Sequence, residues 1–235
     1  MPVNLKDQTG SIVVDVWGDF AMFTQPTAKV ERVSYSVPTP SALRGILNAI
    51  YSKPIEFYYQ ITGFDIMRPI KTISIKKNET KDKVDPKNPQ PIIQVAEKGN
   101  HGLTQRSNIY LKDVYYRIYA EIVRRPDFEG NNICALVDQF NKRTEKGKCF
   151  YQPCLGTREC MCFFSPINEE ERALDINEKF GVMLYDVFDI RTNTPLNTDP
   201  KNSQGNTDIT FYNAVAEHGH IQVPSYESGE IYRKG

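Results

Sequence analysis

TPSALRGILNAIYSKP, residues 39–54, is the stretch from which the rest of the chain can be read. The Thr39 hydroxyl can accept from a free N–H of a first helical turn, and Pro40 has no N–H to leave unsatisfied, so the pair reads as N-cap and first helical residue. Leu43, Ile46, Leu47 and Ile50 fall at i, i+3, i+4 and i+7, one apolar stripe along a helix. Pro54 stops it, and the predicted helix runs from Pro40 to Tyr51. Its last turn offers a phenol, Tyr51, closely followed by an ammonium, Lys53.

Working outward, SIVVDVWGDFAMF (11–23) reads as a first strand. TQPTAKVERVSYSVP (24–38) is a loop leading to the helix. IEFYYQITGFDIMRPI (55–70), rich in β-branched and aromatic residues, is a strand that KTISIKK continues past Pro69. Residues 78–108 are polar and contain Pro86, Pro89 and Pro91, which predicts a long, mobile inserted loop. IYLKDVYYRIYAEIV (109–123) is the clearest strand, and 133–146 is a helix with Leu136, Val137 and Phe140 inward. The segments REC-MCFF, VMLYDVFDI, ITFYNAV and HIQVP are short strands between turns. The predicted class is α+β: a ferredoxin-like domain at 1–148, of the RNA-recognition type, with a small C-terminal antiparallel β-sheet at 149–235.

Composition excludes several functions. No apolar run is long enough to span a membrane, and the N-terminus lacks the apolar core of a secretory signal, so a cytoplasmic protein is expected. The five cysteines lack zinc spacing; Cys160 and Cys162, two apart, would share a strand face as packed thiols. His218 and His220 form H-x-H without an evident third ligand, so they read as a surface pair and no metal or cofactor is expected. The 29 basic and 29 acidic residues cancel, yet RPIKTISIKKNETKDK (68–83) holds six basic and two acidic groups. Such asymmetry fits a basic groove on a neutral body.

Four stretches carry a resemblance: VWGDFAMFTQPTAKVERVSYSVPTPSALRGILNAIYSKP (16–54), YLKDVYYRIYAEI (110–122), YQPCLGTREC (151–160) and HGHIQVPS (218–225). Together they resemble the Cas-five family of CRISPR-associated proteins, in its type I-C branch. The resemblance implies a subunit of Cascade that caps the 5′ handle of CRISPR RNA (crRNA). It also implies an endoribonuclease that cuts the precursor at the repeat hairpin by 2′-hydroxyl attack, without a metal ion. Expected partners are crRNA and its precursor, the backbone and large Cascade subunits, and target DNA through the complex.

In the family a tyrosine at the end of the first helix works with a Lys-His pair, and that tyrosine matches Tyr51. The pair has no counterpart. Depending on where gaps fall, Ala135 and Leu136 or Asn131 and Asn132 occupy its place, and none of these transfers a proton near neutral pH. His101, Lys146 and Lys148 are the candidate substitutes. The alternative is a non-catalytic cap of the 5′ handle that serves only as an architectural subunit; a free-standing RNA-recognition module is a third reading. RNA binding would draw on Lys29, Arg32, Arg44, Lys53, Arg68, Lys71, Arg106 and Arg158 for phosphates, and on Trp17, Phe23 and Tyr35 for bases.

Overall fold

The computed structural model describes residues 9–28, 30–80, 103–125, 128, 130, 132–191, 194–195 and 209–233. The first strand, β1, is Thr9–Ala21, and the opening helix, α1, is Pro40–Ile50. Thr39 Oγ1 accepts from the Ala42 N–H at 3.3 Å, as an N-cap should. The apolar stripe is fully buried. Tyr51 closes the helix in an extended conformation, its N–H still reaching Leu47 O at 2.9 Å.

Strands β2 (Phe57–Ile66), β3 (Lys71–Thr80) and β4 (Leu103–Arg124) follow, then helix α2 (Ile133–Glu145). The C-terminal half of β4 lies between β1 and β2, both antiparallel to it, with Ile118 opposite both Val14 and Phe64. Tyr116, Ile118, Ala120 and Ile122 alternate along β4 into the core; Tyr115, Arg117 and Tyr119 stand on the other face. The helices cover the first face. Phe140 of α2 meets Tyr59 edge-on at 6.0 Å, and a Cβ on Gly10 would touch Val137 and Ile133.

KTISIKK does not prolong β2; it begins β3, which folds back on the N-terminal half of β4 from Lys71↔Lys112 to Thr80↔Leu103. Within the expected loop, 78–80 and 103–108 are therefore strand. Their alternating side chains are largely polar because the ribbon is mostly solvated, which makes it look like loop from composition. Residues 81–102, with Pro86, Pro89, Pro91 and His101, lie outside the described residues.

The second half contributes β5 (Phe163–Ser165), β6 (Glu178–Asp186), β7 (Phe188–Asp189), β8 (Thr194–Pro195), β9 (Thr210–Glu217) and β10 (His220–Gln222). These strands are not a separate sheet. β10 pairs with β2, Ile221 opposite Phe64, and the order β5-β1-β4-β2-β10-β9-β6, with β3 also on β4, makes one eight-stranded antiparallel sheet. Only β7 and β8 form their own ribbon. α1 reaches across to β6, where Arg44 makes two hydrogen bonds to Asp186, at 2.9 and 3.0 Å. Cys160 and Cys162 are both buried, as packed thiols should be. No helix among the described residues is long and apolar enough to cross a membrane.

Candidate nucleic-acid interface

Four segments meet at the C-terminal end of α1. The helix delivers Tyr51. The start of β2 brings Phe57, the last turn of α2 brings Arg143, and the following loop brings Phe150 and Tyr151. The loop is tied to α1 by the Phe150 N–H, which donates to Ala49 O at 2.8 Å. Tyr59 donates to Tyr51 O at 2.6 Å and fixes the backbone. The Tyr51 ring lies 5.5 Å from Phe57 and stacks on Phe150 at 6.2 Å, with the Arg143 guanidinium carbon 5.5 Å from its centre.

Burial raises the Tyr51 phenol above its ordinary range, and Lys53 and Arg143 oppose the shift only in part. The hydroxyl therefore stays protonated at neutral pH and acts as a donor: it can hydrogen-bond a phosphate oxygen or protonate a leaving group, but cannot serve as a base. The Lys53 ammonium is held by Glu56, at 2.9 and 3.0 Å from its two oxygens, which raises its affinity for its proton.

Arg143 is the residue sequence reasoning missed. It follows Phe140 by three positions, so it flanks the inward stripe of α2 rather than facing away, and that spacing was the available signal. Its Nη1 donates to Ile50 O at 3.3 Å, its Nε is buried without a hydrogen-bond partner, and its guanidinium carbon lies 4.2 Å from the Phe150 ring centre. Lys146 and Lys148, the expected substitutes, are exposed in the turn after α2. Ala135 is exposed and Leu136 buried, and neither side chain can titrate.

Two clefts flank Tyr151, which is 61% exposed. One, of about 820 Å³, runs along the small residues Ser41, Ala42, Gly45 and Ala49 of α1 and is walled by the loop that carries Arg158. Arg158 is exposed and has no ion pair among the described residues. Gly156 in that loop has φ +91, and a Cβ there would sit 1.9 Å from Met22 O, so only glycine lets the loop close on the end of β1. The other cleft, of about 210 Å³, holds Ser52, Tyr58 and Arg125. Arg125 donates to Pro54 O at 2.6 Å and lies over Tyr58.

The remaining sequence candidates are dispersed. Phe23 is 2% exposed and packs edge-on to Tyr116, so it is core and cannot stack on a base. The charge of Arg44 is balanced inside the fold by Asp186. Tyr35 is half-buried and its hydroxyl accepts from the Leu184 N–H. Trp17 lies on the sheet face away from the helices, between Tyr115 and Phe163 at 5.9 and 6.2 Å. Arg68 lies over Tyr115 there and is held by Glu171. Lys71 lies near Asp113, Arg106 pairs with Glu79, and Arg32 is exposed. Lys29 and His101 lie outside the described residues. His218 and His220 do not converge: one bonds Asp175 and the other Asp65, each at 2.6 Å. The described residues contain no group of three His, Cys, Asp or Glu able to hold a metal ion.

Comparison with known proteins bears on this geometry. The profile of the family described as CRISPR-associated protein (Cas_Cas5), Cas_Cas5d, matches residues 11–224. The chain is 34% identical over 225 residues to the CRISPR pre-crRNA endoribonuclease Cas5d of Thermus thermophilus, with 94% of each chain covered. It is 33% identical over 239 residues to the protein of the same name from Mannheimia succiniciproducens, covering 94% of this chain and 98% of that one. A solved structure described as a CRISPR-associated protein superposes with a TM-score of 0.66 at 25% identity, over 95% of this chain and 96% of the other. The Streptococcus mutans protein SMU1763c shares the fold, with a TM-score of 0.63 at 23% identity over 95% and 97% of the two chains.

Proposed function

We propose, from the premise that this chain belongs to the Cas5 family of CRISPR-associated proteins, that it is the Cascade subunit that grips the 5′ handle of crRNA and makes that handle by cutting the precursor. We place it in the type I-C branch, in the cytoplasm, beside the backbone and large subunits and, through the complex, target DNA. A ferredoxin-like plan is supported by β1-α1-β2-β4-α2-β5 with the strand order β5-β1-β4-β2, its last strand coming from beyond residue 148. RNA-recognition modules share that plan.

The observation that carries the reading is the Tyr51 phenol at the end of α1 beside the Lys53 and Arg143 cations; the sequence resemblance matches this residue to the family's catalytic tyrosine. In metal-independent cleavage the 2′-oxygen of RNA attacks the adjacent phosphorus, the P–O5′ bond breaks, and a 2′,3′-cyclic phosphate forms. The proton of the 2′-hydroxyl leaves to solvent, and the departing 5′-oxygen needs one in return. Tyr51 can supply that proton, while cations stabilise the crowded phosphate. DNA lacks the nucleophile.

A second reading is favoured by one observation. Ala135 and Leu136, where one placing of gaps puts the family's Lys-His pair, carry no base, so the chain would bind the handle without cutting. Incubating the purified protein with end-labelled repeat RNA in EDTA separates the two. Site-specific cutting that is lost in Tyr51→Phe supports the enzyme. An intact hairpin that is tightly bound supports the cap. A protein that neither binds nor cuts repeat RNA at low salt overturns both.

A further inference from the structure

We propose that Arg143 and Phe150 form a nucleotide clamp beside Tyr51. The guanidinium takes an RNA phosphate, and the exposed part of the Phe150 ring takes the unpaired base next to it. The clamp rests on the reading of the chain as an RNA-binding protein and adds a site to it.

Three features of the geometry support the clamp. Arg143 spends one N–H on Ile50 O and is paired with no carboxylate among the described residues, whereas Arg44, Arg68, Arg106, Arg117 and Arg191 each have one. A guanidinium offers five donors in a planar fork that matches a phosphate, so most of its binding capacity is unspent. Phe150 is 52% exposed although Arg143 lies against its ring, so the ring keeps a surface toward solvent. Its backbone is fastened to Ala49 O, so that surface is presented in a fixed orientation. Finally, the phenol of Tyr51 stacks on the same ring. A base on Phe150 would thus bring its own phosphate within reach of both Arg143 and Tyr51.

A protein neighbour could also cover an exposed aromatic ring. A cation with no carboxylate partner among the described residues and the phenol beside it favour a phosphodiester, because both can donate to an anion.

The test uses repeat RNA with 2′-O-methyl groups throughout, which binds but cannot cyclise, so the outcome is independent of catalysis. Anisotropy titrations run from 50 to 300 mM KCl. For Arg143→Gln, loss of one phosphate contact should lower the salt slope by about 0.7 and weaken binding several-fold at low salt. For Phe150→Ala, the slope should hold while affinity falls about ten-fold, and Phe150→Trp should restore it. Arg143→Lys keeps the charge and should keep the slope, and urea midpoints verify that each variant is folded. Wild-type affinity and slope in both Arg143→Gln and Phe150→Ala would remove the clamp and leave the RNA-binding reading intact. So would a Phe150→Ala protein that binds RNA normally but fails to assemble with other Cascade subunits. A wild-type protein that ignores the RNA at 50 mM KCl would remove both.

Discussion

Arg44→Ala should destabilise the protein and leave its RNA contacts alone. The Arg44 and Asp186 side chains are 12% and 2% exposed and share two hydrogen bonds. Removing one partner of such a pair costs about 3–5 kcal/mol, because the other charge stays buried. Here Asp186 Oδ1 keeps the N–H groups of Val187 and Phe188, at 2.8 and 3.0 Å, so the lower end, about 3 kcal/mol, applies. For 235 residues the unfolding entropy is about 0.5 kcal/mol/K, which makes the loss about 6 °C in Tm. Burial already raises the Asp186 carboxyl above its ordinary range, against the pull of Arg44. Without Arg44 it rises further. The native state then binds the proton more tightly than the unfolded state, so stability falls as pH rises, and the deficit is larger at pH 7.5 than at pH 5.

Thermal melts of wild type, Arg44→Ala and the double variant Arg44→Leu/Asp186→Asn, whose amide oxygen can still accept from the Val187 and Phe188 N–H groups, at both pH values check this. The double variant should recover most of the loss, since no lone charge remains. Its salt slope for RNA should match wild type. A drop under 2 °C in Arg44→Ala without pH dependence would refute the stability reasoning. A slope reduced by about 0.7 in the folded double variant would make Arg44 a phosphate contact after all.

Other perturbations give equally definite outcomes. Gly156→Ala meets both a positive φ and the Met22 carbonyl; a loss of at least about 2 kcal/mol is expected from urea denaturation, and an unchanged midpoint would contradict the placement of the loop. His220 is raised above its ordinary range by its bond to Asp65. Wild type should therefore exceed His220→Gln in stability below about pH 6.5, and the difference should fade as pH rises through the folded pKa; a difference that grows with pH would be the wrong sign. Lys77 lowers the Glu159 carboxyl to about 2. Its carboxyl carbon should titrate near there by NMR, and Lys77→Met should return it toward 4.5.

Local chemistry made part of this molecule legible. Thr39, Pro40 and the stripe from Leu43 to Ile50 specify α1 without help from elsewhere. The alternation in 109–123 specifies the core half of β4. Pairing was not legible, because β10 finds β2 across some 155 residues and nothing within HIQ names its partner. Arg44 sits off the apolar stripe and so looked solvent-facing; its partner lies 142 residues away. Tyr51 was found through its family. Arg143 was overlooked because its importance comes from Tyr51 and Phe150, which only the fold brings to it.

The 22-residue β4 serves two neighbourhoods with one backbone. From Tyr116 to Val123 it is flanked by β1 and β2 on its two edges, whereas from Leu103 to Ser107 its only strand partner among the described residues is β3. Asp113, at φ 53, marks the junction. Amide hydrogen exchange should therefore fall off as a gradient along this one strand. The slowest positions would report global unfolding around Ile118, and the fastest would report local opening of the ribbon beyond Asn108.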